Sequence, residues 1–292
     1  MALTGCLSNI HEYFREGLVG HRIKRLSAEA LKMLVSCITG SVNNVYKDFF
    51  ADVSRSLLDE VRGGLQRLCR RGRCLVVDVE ARLVYRGGFG RGAAQPWSWF
   101  GVYLHPVYLV PVLPGSSIKG ALRSFYARLL EERSCNQRCV EACVSAIFGG
   151  AEDSPVTSLS PLMVTDGYPV RAGPEGILVG DVLTPHYQSG GETVRGEEEA
   201  RPKPIQGFSV GAGTVFRFLL FLDEERLWEN LESLRGIASS SCISSVVGSP
   251  DPLRLLLYLL VGALEKEGLG GKTSRGYGLM RITSLLAYRV HR

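Results

Sequence analysis

Apolar residues recur by threes and fours through Val42, Val45, Tyr46, Phe49, Phe50, Val53, Leu57, Leu58, Val61, Leu65 and Leu68. That spacing predicts an amphipathic helix, broken or ended near Gly63-Gly64. Its apolar side is broad, so it packs on the protein's own core or on a neighbour. The period changes to two at Cys74–Tyr85, which predicts a half-buried strand, and Val102–Val112 reads as a second extended segment. Helical spacing returns after Pro114, where Ile118, Leu122, Phe125, Tyr126 and Leu129 share one face and Ser116 or Ser117 can cap the start. Gly176–Leu183 and Gly213–Leu222 read as short apolar strands. Ser249-Pro-Asp-Pro252 opens a last helix over Leu253–Glu267, Gly268 terminates it, and Leu279–Val290 is a closing strand. Residues 149–175, 188–204 and 236–250 read as loops, the second a long polar insertion. The order strand, helix, strand, strand, helix, strand is that of a ferredoxin-like (RRM-like) α+β fold with long loop insertions. A helical N-terminal region, residues 1–73, precedes a sheet domain, residues 74–292, in one compact unit.

Composition narrows the class. The 292 residues are 45% hydrophobic and 22% charged, ordinary for a soluble globular protein. The longest apolar run, Leu255–Leu264, is too short to span a bilayer. The N-terminal Met1-Ala-Leu-Thr-Gly-Cys-Leu7 lacks a basic region followed by an apolar core. The expected location is the cytoplasm, with no membrane partner. Net charge is +5, and arginine supplies all but seven of the 34 cations. That balance is compatible with a phosphate-bearing partner without requiring one. Cys135, Cys139 and Cys143 fall at i, i+4 and i+8, a buried helical stripe, since a metal site would need a fourth ligand nearby. Cys69 and Cys74 flank a basic turn; intracellular disulfides are expected only in a hyperthermophile's protein.

Two segments carry candidate chemistry. In Gly268-Leu-Gly-Gly-Lys-Thr-Ser-Arg-Gly-Tyr-Gly278, glycine fills five of eleven positions. Gly271 leaves the backbone approachable, Lys272 and Arg275 add charge, Thr273 and Ser274 add hydroxyls, and Tyr277 offers a stacking face. The alternative is a plain glycine turn. A nucleotide-hydrolysing P-loop is excluded, because the position five residues before Gly271 is Lys266 and the loop runs from helix to strand. The second segment, Pro114-Gly-Ser-Ser-Ile-Lys-Gly-Ala-Leu-Arg123, opens a helix. Ser116, Ser117, Lys119 and Arg123 crowd its first two turns, where free amides and the helix dipole favour a phosphate. Of five histidines, none lies in either segment. His186, beside Tyr187, is the best general-base candidate of the five.

These two segments resemble the signature motifs of the RAMP superfamily of CRISPR-associated proteins. Asp181-Val-Leu-Thr-Pro-His-Tyr187, Pro202-Lys-Pro-Ile205 and Phe208-Ser-Val210 resemble the sixth-subunit branch of Cmr (type III-B) effector complexes. The resemblance covers residues 75–290; the helical N-terminus and the 188–201 insertion lie outside any familiar pattern. It implies a non-catalytic subunit without cofactor or metal, whose partners are crRNA, target RNA and other RAMP subunits of the complex. It also implies that Ser116, Ser117, Lys119, Arg123, Gly271 and Lys272–Tyr277 face RNA. Other RAMP proteins are metal-independent endoribonucleases that process CRISPR RNA, which is the competing expectation with His186 as its general base; otherwise His186 and Tyr187 are expected to order a loop or contact RNA.

Overall fold

The computed structural model describes residues 28–45, 51–69, 73–90, 102–105, 110–133, 135–150, 159–183, 188–189, 192–193, 205–234 and 251–291. His186, Tyr187 and the 236–250 loop lie outside the described residues, as does most of the insertion after residue 189.

Two helices, α1 (Ala28–Val45) and α2 (Ala51–Leu68), come first. Helix α2 runs through Gly63 and Gly64 rather than ending there. Two glycines cost about 1 kcal/mol each relative to alanine. Anchors on either side offset this: Leu58 is fully buried, and Leu65 packs on Cys69, Cys74, Val76 and Phe221. A disulfide between Cys69 and Cys74 ties the end of α2 to the strand that follows.

That strand, β1 (Arg73–Leu83), lies inside a five-stranded sheet. The other members are β2 (Leu162–Val164), β3 (Tyr168–Arg171), β8 (Val215–Asp223) and β9 (Met280–His291). The order is β2–β8–β1–β9, with β3 also on β8 and every pairing antiparallel. Leu75, Val77, Val79, Ala81 and Leu83 face the main core. There they join Ile118, Leu122, Tyr126 and Leu130 of α3 (Gly115–Glu132) and Leu256, Leu259 and Leu260 of a later helix.

The opposite face of β1 is buried as well from Cys74 to Asp78, while Glu80 is half-buried and Arg82 exposed, so the half-buried expectation holds only toward the strand's end. Asp78 is 7% exposed there, and its two oxygens accept from the Arg217 guanidinium at 2.9 and 2.6 Å. From α2, Asp59 accepts from Arg217 at 3.0 Å and Arg62 reaches Asp78 at 3.7 Å. The bond to Asp78 holds the Arg217 guanidinium firmly charged. Helix α2 thus covers this face of the sheet around Asp78 and Arg217.

The position of the second sheet strand also differs from expectation. Leu178–Leu183 forms β4, but it pairs with β7 (Ile205–Val210) in a separate two-stranded sheet. Asn43 of α1 holds this hairpin, its Oδ1 accepting from the amides of Ile177 and Leu178 at 2.8 and 3.0 Å. The strands beside β8 are β2 and β3, within the stretch expected to be loop. At three and four residues, one containing Pro169, they are too short to show a period. A minimal pair, β5 (Gln188–Ser189) and β6 (Glu192–Thr193), lies between β4 and β7 in the chain. In the Val102–Val112 stretch, the described residues show a bridge between Leu104 and Pro111.

Helix α4 (Gln137–Phe148) buries Cys139 and Cys143 in the core, whereas Cys135, expected on the same helical stripe, precedes the helix and is only half-buried; α5 (Glu224–Ser233) follows β8. Helix α6 (Pro252–Val261) continues as a π-helical turn over Gly262–Glu267 and stops at Gly268. No helix among the described residues is long and apolar enough to cross a membrane.

Candidate nucleic-acid interface

The glycine loop joins the π-helical turn to β9 and lies on a second glycine-rich stretch, Arg86–Gly90. The amides of Gly271 and Gly278 donate to the carbonyls of Gly88 and Arg86 at 3.0 and 2.8 Å. The backbones approach so closely that side chains have no room. A Cβ on Gly270 would stand 2.2 Å from the Gly88 oxygen, and one on Gly278 would stand 1.8 Å from the Leu269 oxygen. Both residues also have positive φ, 85° and 69°. Here the glycines serve close packing, and the loop is a fixed structure rather than a slack turn.

With its ends fixed, the loop's middle turns outward. Gly271, Ser274 and Arg275 are exposed, and Lys272 and Thr273 are half-exposed. Thr273–Arg275 form one 3-10 turn, closed by the Arg275 and Gly276 amides donating back to Lys272 and Thr273 carbonyls at 2.9 Å each. The Thr273 and Ser274 amides meet no acceptor among the described residues. Lys272 adopts φ 60°, unusual for a residue with a Cβ, and its ammonium lies 5.1 Å from the centre of the Tyr277 ring. Partial burial lowers the Lys272 pKa, and Arg275 lowers it further, while Asp181 opposes them. An arriving phosphate would act against that lowering.

Tyr277 does not present the stacking face expected of it. The residue is 8% exposed, its ring meets Tyr85 edge-on at 5.2 Å, and its hydroxyl donates to Asp181 Oδ2 at 2.8 Å. Burial first, then Asp181, raise its pKa well above the ordinary phenol. Asp181 lies on β4, and its other oxygen faces Arg86 at 3.5 Å. Arg86 also pairs with Glu175 at 3.2 Å. Sequence reasoning assigned no role to Asp181, Arg86 or Glu175. The visible signal was the strand break at Gly87-Gly-Phe-Gly90, which marks the loop's seat.

The start of α3 is arranged differently. No serine caps it: Pro114 precedes the first turn, and the Gly115 amide donates to Asp166 Oδ1 at 2.7 Å. A carboxylate from the β2–β3 turn thus occupies the place a phosphate would take. Lys119 donates to Ser160 Oγ at 2.7 Å and is half-buried; burial, then Arg123, lower its pKa. Ser116 and Arg123 are exposed and Ser117 is half-exposed. The glycine loop rests on Arg86–Phe89, and the α3 start rests on Val164–Gly167. Among the described residues no hydrogen bond or ion pair joins the two segments. His105, the strand-region histidine, faces the Tyr168 ring at 6.2 Å, in neither segment.

The family model of the RAMP superfamily matches residues 89–281, a span that takes in both segments. The chain belongs to the RAMP superfamily. Among RAMP relatives, it is 29% identical over 192 residues to the CRISPR system CMR subunit Cmr6 of Saccharolobus solfataricus, covering 65% of this chain and 51% of that one. It therefore spans about half the length of that relative. It is 25% identical over 181 residues to the CRISPR system Cms endoribonuclease Csm3 of Enterococcus italicus, covering 61% of this chain and 73% of that one. In fold it is similar to a chain in the cryo-EM structure of the Type III-B Cmr-beta bound to cognate target RNA. That match has a TM-score of 0.60 at 22% identity and covers 89% of this RAMP chain and 74% of the other.

Proposed function

We propose that this chain is a non-catalytic, RNA-binding subunit of a type III-B CRISPR (Cmr) effector complex. In that role it holds the 3′ region of the crRNA and its duplex with target RNA during antiviral defence, beside other RAMP subunits. Its main sheet is the ferredoxin-like frame, supported by the antiparallel order β2–β8–β1–β9 with α3 and α6 on one face. The helical region before β1 is an embellishment packed on that frame. The observation that carries the reading is the outward middle of the glycine loop, Gly271–Arg275, held rigid by backbone bonds to Arg86 and Gly88. Two cations, two hydroxyls and two open amides on a fixed base suit a phosphodiester chain. Ser116, Ser117 and Arg123 extend the surface toward RNA. Lys119, already bonded to Ser160, takes a smaller part.

Such a surface reads backbone, not base edges, so affinity for a guide–target duplex is expected to be independent of spacer sequence. Binding measured across spacers of equal length and different sequence tests this; a strong dependence would require base readout and contradict the assignment.

The similarity to a Csm3 named as an endoribonuclease favours a second reading, cleavage of CRISPR RNA without metal. That chemistry needs a general base against a 2′-hydroxyl. Incubation with labelled repeat RNA in EDTA separates the two. Intact RNA agrees with the binding role; specific cleavage that disappears in His186→Ala establishes the nuclease.

A further inference from the structure

Asp181 sits where an RNA-binding surface would least favour it. Its carboxylate is only 9% exposed, beneath the Tyr277 ring that underlies Lys272. A negative charge there weakens the attraction of the loop for phosphate. Its partners give it a different use. Asp181 Oδ2 accepts from the Tyr277 hydroxyl at 2.8 Å, and Oδ1 accepts from the Val182 amide at 2.9 Å and faces Arg86 at 3.5 Å. Tyr277 in turn is gripped by Tyr85 edge-on at 5.2 Å and carries the Lys272 ammonium 5.1 Å above its ring. Arg86 receives the loop directly, since its carbonyl accepts from the Gly278 amide at 2.8 Å. The chain from β4 to Lys272 is therefore continuous: Asp181, Tyr277, Lys272. Asp181 and Tyr277 are 96 positions apart, so the bond joins the β4–β7 hairpin to the glycine loop across the fold.

We infer that Asp181 and Tyr277 are positioning residues that lock the glycine loop to the β4–β7 hairpin and hold Lys272 in its phosphate-facing, left-handed conformation. This rests on the RNA-binding reading above. Arg86 balances the charge of Asp181, so the carboxylate serves as an acceptor without dominating the local field.

The lock and the charge pull RNA affinity in opposite directions, which makes the sign of one substitution decisive. Asp181→Ala removes a negative charge near the phosphate path; charge alone would tighten binding. Loss of positioning weakens it, and the expected result is a loss of about threefold or more. Tyr277→Phe keeps every charge and the ring, removes only the hydroxyl, and is expected to weaken binding to a similar extent. The double variant is expected to lose no more than the worse single one, because both break the same bond. The slope of log affinity against log salt should fall in Tyr277→Phe, because Lys272 no longer meets its phosphate, and by no more than it falls in Lys272→Ala. Tighter binding by Asp181→Ala, additive losses, or a slope in Tyr277→Phe equal to that of the unaltered protein would each overturn the lock. Amide hydrogen exchange of residues 269–278 in Tyr277→Phe, measured without RNA, keeps the two claims apart. Faster exchange together with no RNA binding by the unaltered protein would sink the RNA reading and leave the lock standing. Unchanged exchange would refute the lock itself.

Discussion

The glycine loop and the start of α3 have nearly the same chemistry in sequence: glycine, two hydroxyls and two cations within a few positions. Their surroundings make them different objects. In the loop, the two backbone bonds to Arg86 and Gly88 consume amides at the ends, and the middle is left facing outward. At α3, the Gly115 amide is taken by Asp166 and the Lys119 ammonium by Ser160. A carboxylate from the same chain can satisfy a helix start as well as a phosphate can. Composition identifies what could bind an anion; the partners already present decide whether anything is left to do so.

Breaking the loop's base should have the largest effect. Gly278→Ala must place a Cβ 1.8 Å from the Leu269 oxygen at a φ of 69°. The expected cost is about 3 kcal/mol or more in thermal or denaturant unfolding, with RNA binding lost at the same time. A variant that folds and binds normally would mean the backbone contact is not needed. Next in size is Asp166→Ala, which deprives the Gly115 amide of its acceptor. Loss of such a cap costs about 1 kcal/mol. RNA affinity should be unaffected if Asp166 is purely a cap; a rise in both affinity and salt slope would reveal α3 as a second phosphate site that Asp166 blocks. The smallest effect concerns Glu175, whose pKa is lowered chiefly by the hydrogen bond from Arg86. A depressed carboxylate contributes stability above its ordinary value of about 4.3 and loses it as pH falls through the lower folded value. Acid titration of stability should therefore be slightly shallower in Glu175→Gln. Identical curves would leave the ion pair without a stabilising role.

Long elements with a clear period were legible in the sequence. These include β1, β8 and β9, helices α3 and α6, and the stop at Gly268. The glycine loop was also located correctly. What failed had a common physical cause, namely dependence on distant partners. Strands β2 and β3 exist because β8 offers them an edge, and three or four residues carry no readable alternation. Leu178–Leu183 looked like a strand and is one, but its partner is β7, not the main sheet. Gly63 and Gly64 suggested a helix end, yet packing at Leu58 and Leu65 carries α2 past them. The Asp166 cap acts across 51 positions and the Asp181–Tyr277 bond across 96, separations over which local pattern says nothing. The burial of Tyr277 follows from that second bond, which is why a ring expected to stack on bases instead supports Lys272.

The central claim is that the outward face of the glycine loop holds RNA phosphates and that Lys119, at the α3 start, contributes little. The most direct test is the salt dependence of RNA affinity in Lys272→Ala, Arg275→Ala and Lys119→Ala, measured alongside the unaltered protein. Each lost phosphate contact reduces the slope of log affinity against log salt by about 0.7 to 1. The expected result is that reduction in Lys272→Ala and in Arg275→Ala, with Lys119→Ala close to the unaltered slope. An unchanged slope in both loop variants, or an equal reduction in Lys119→Ala, would contradict the account.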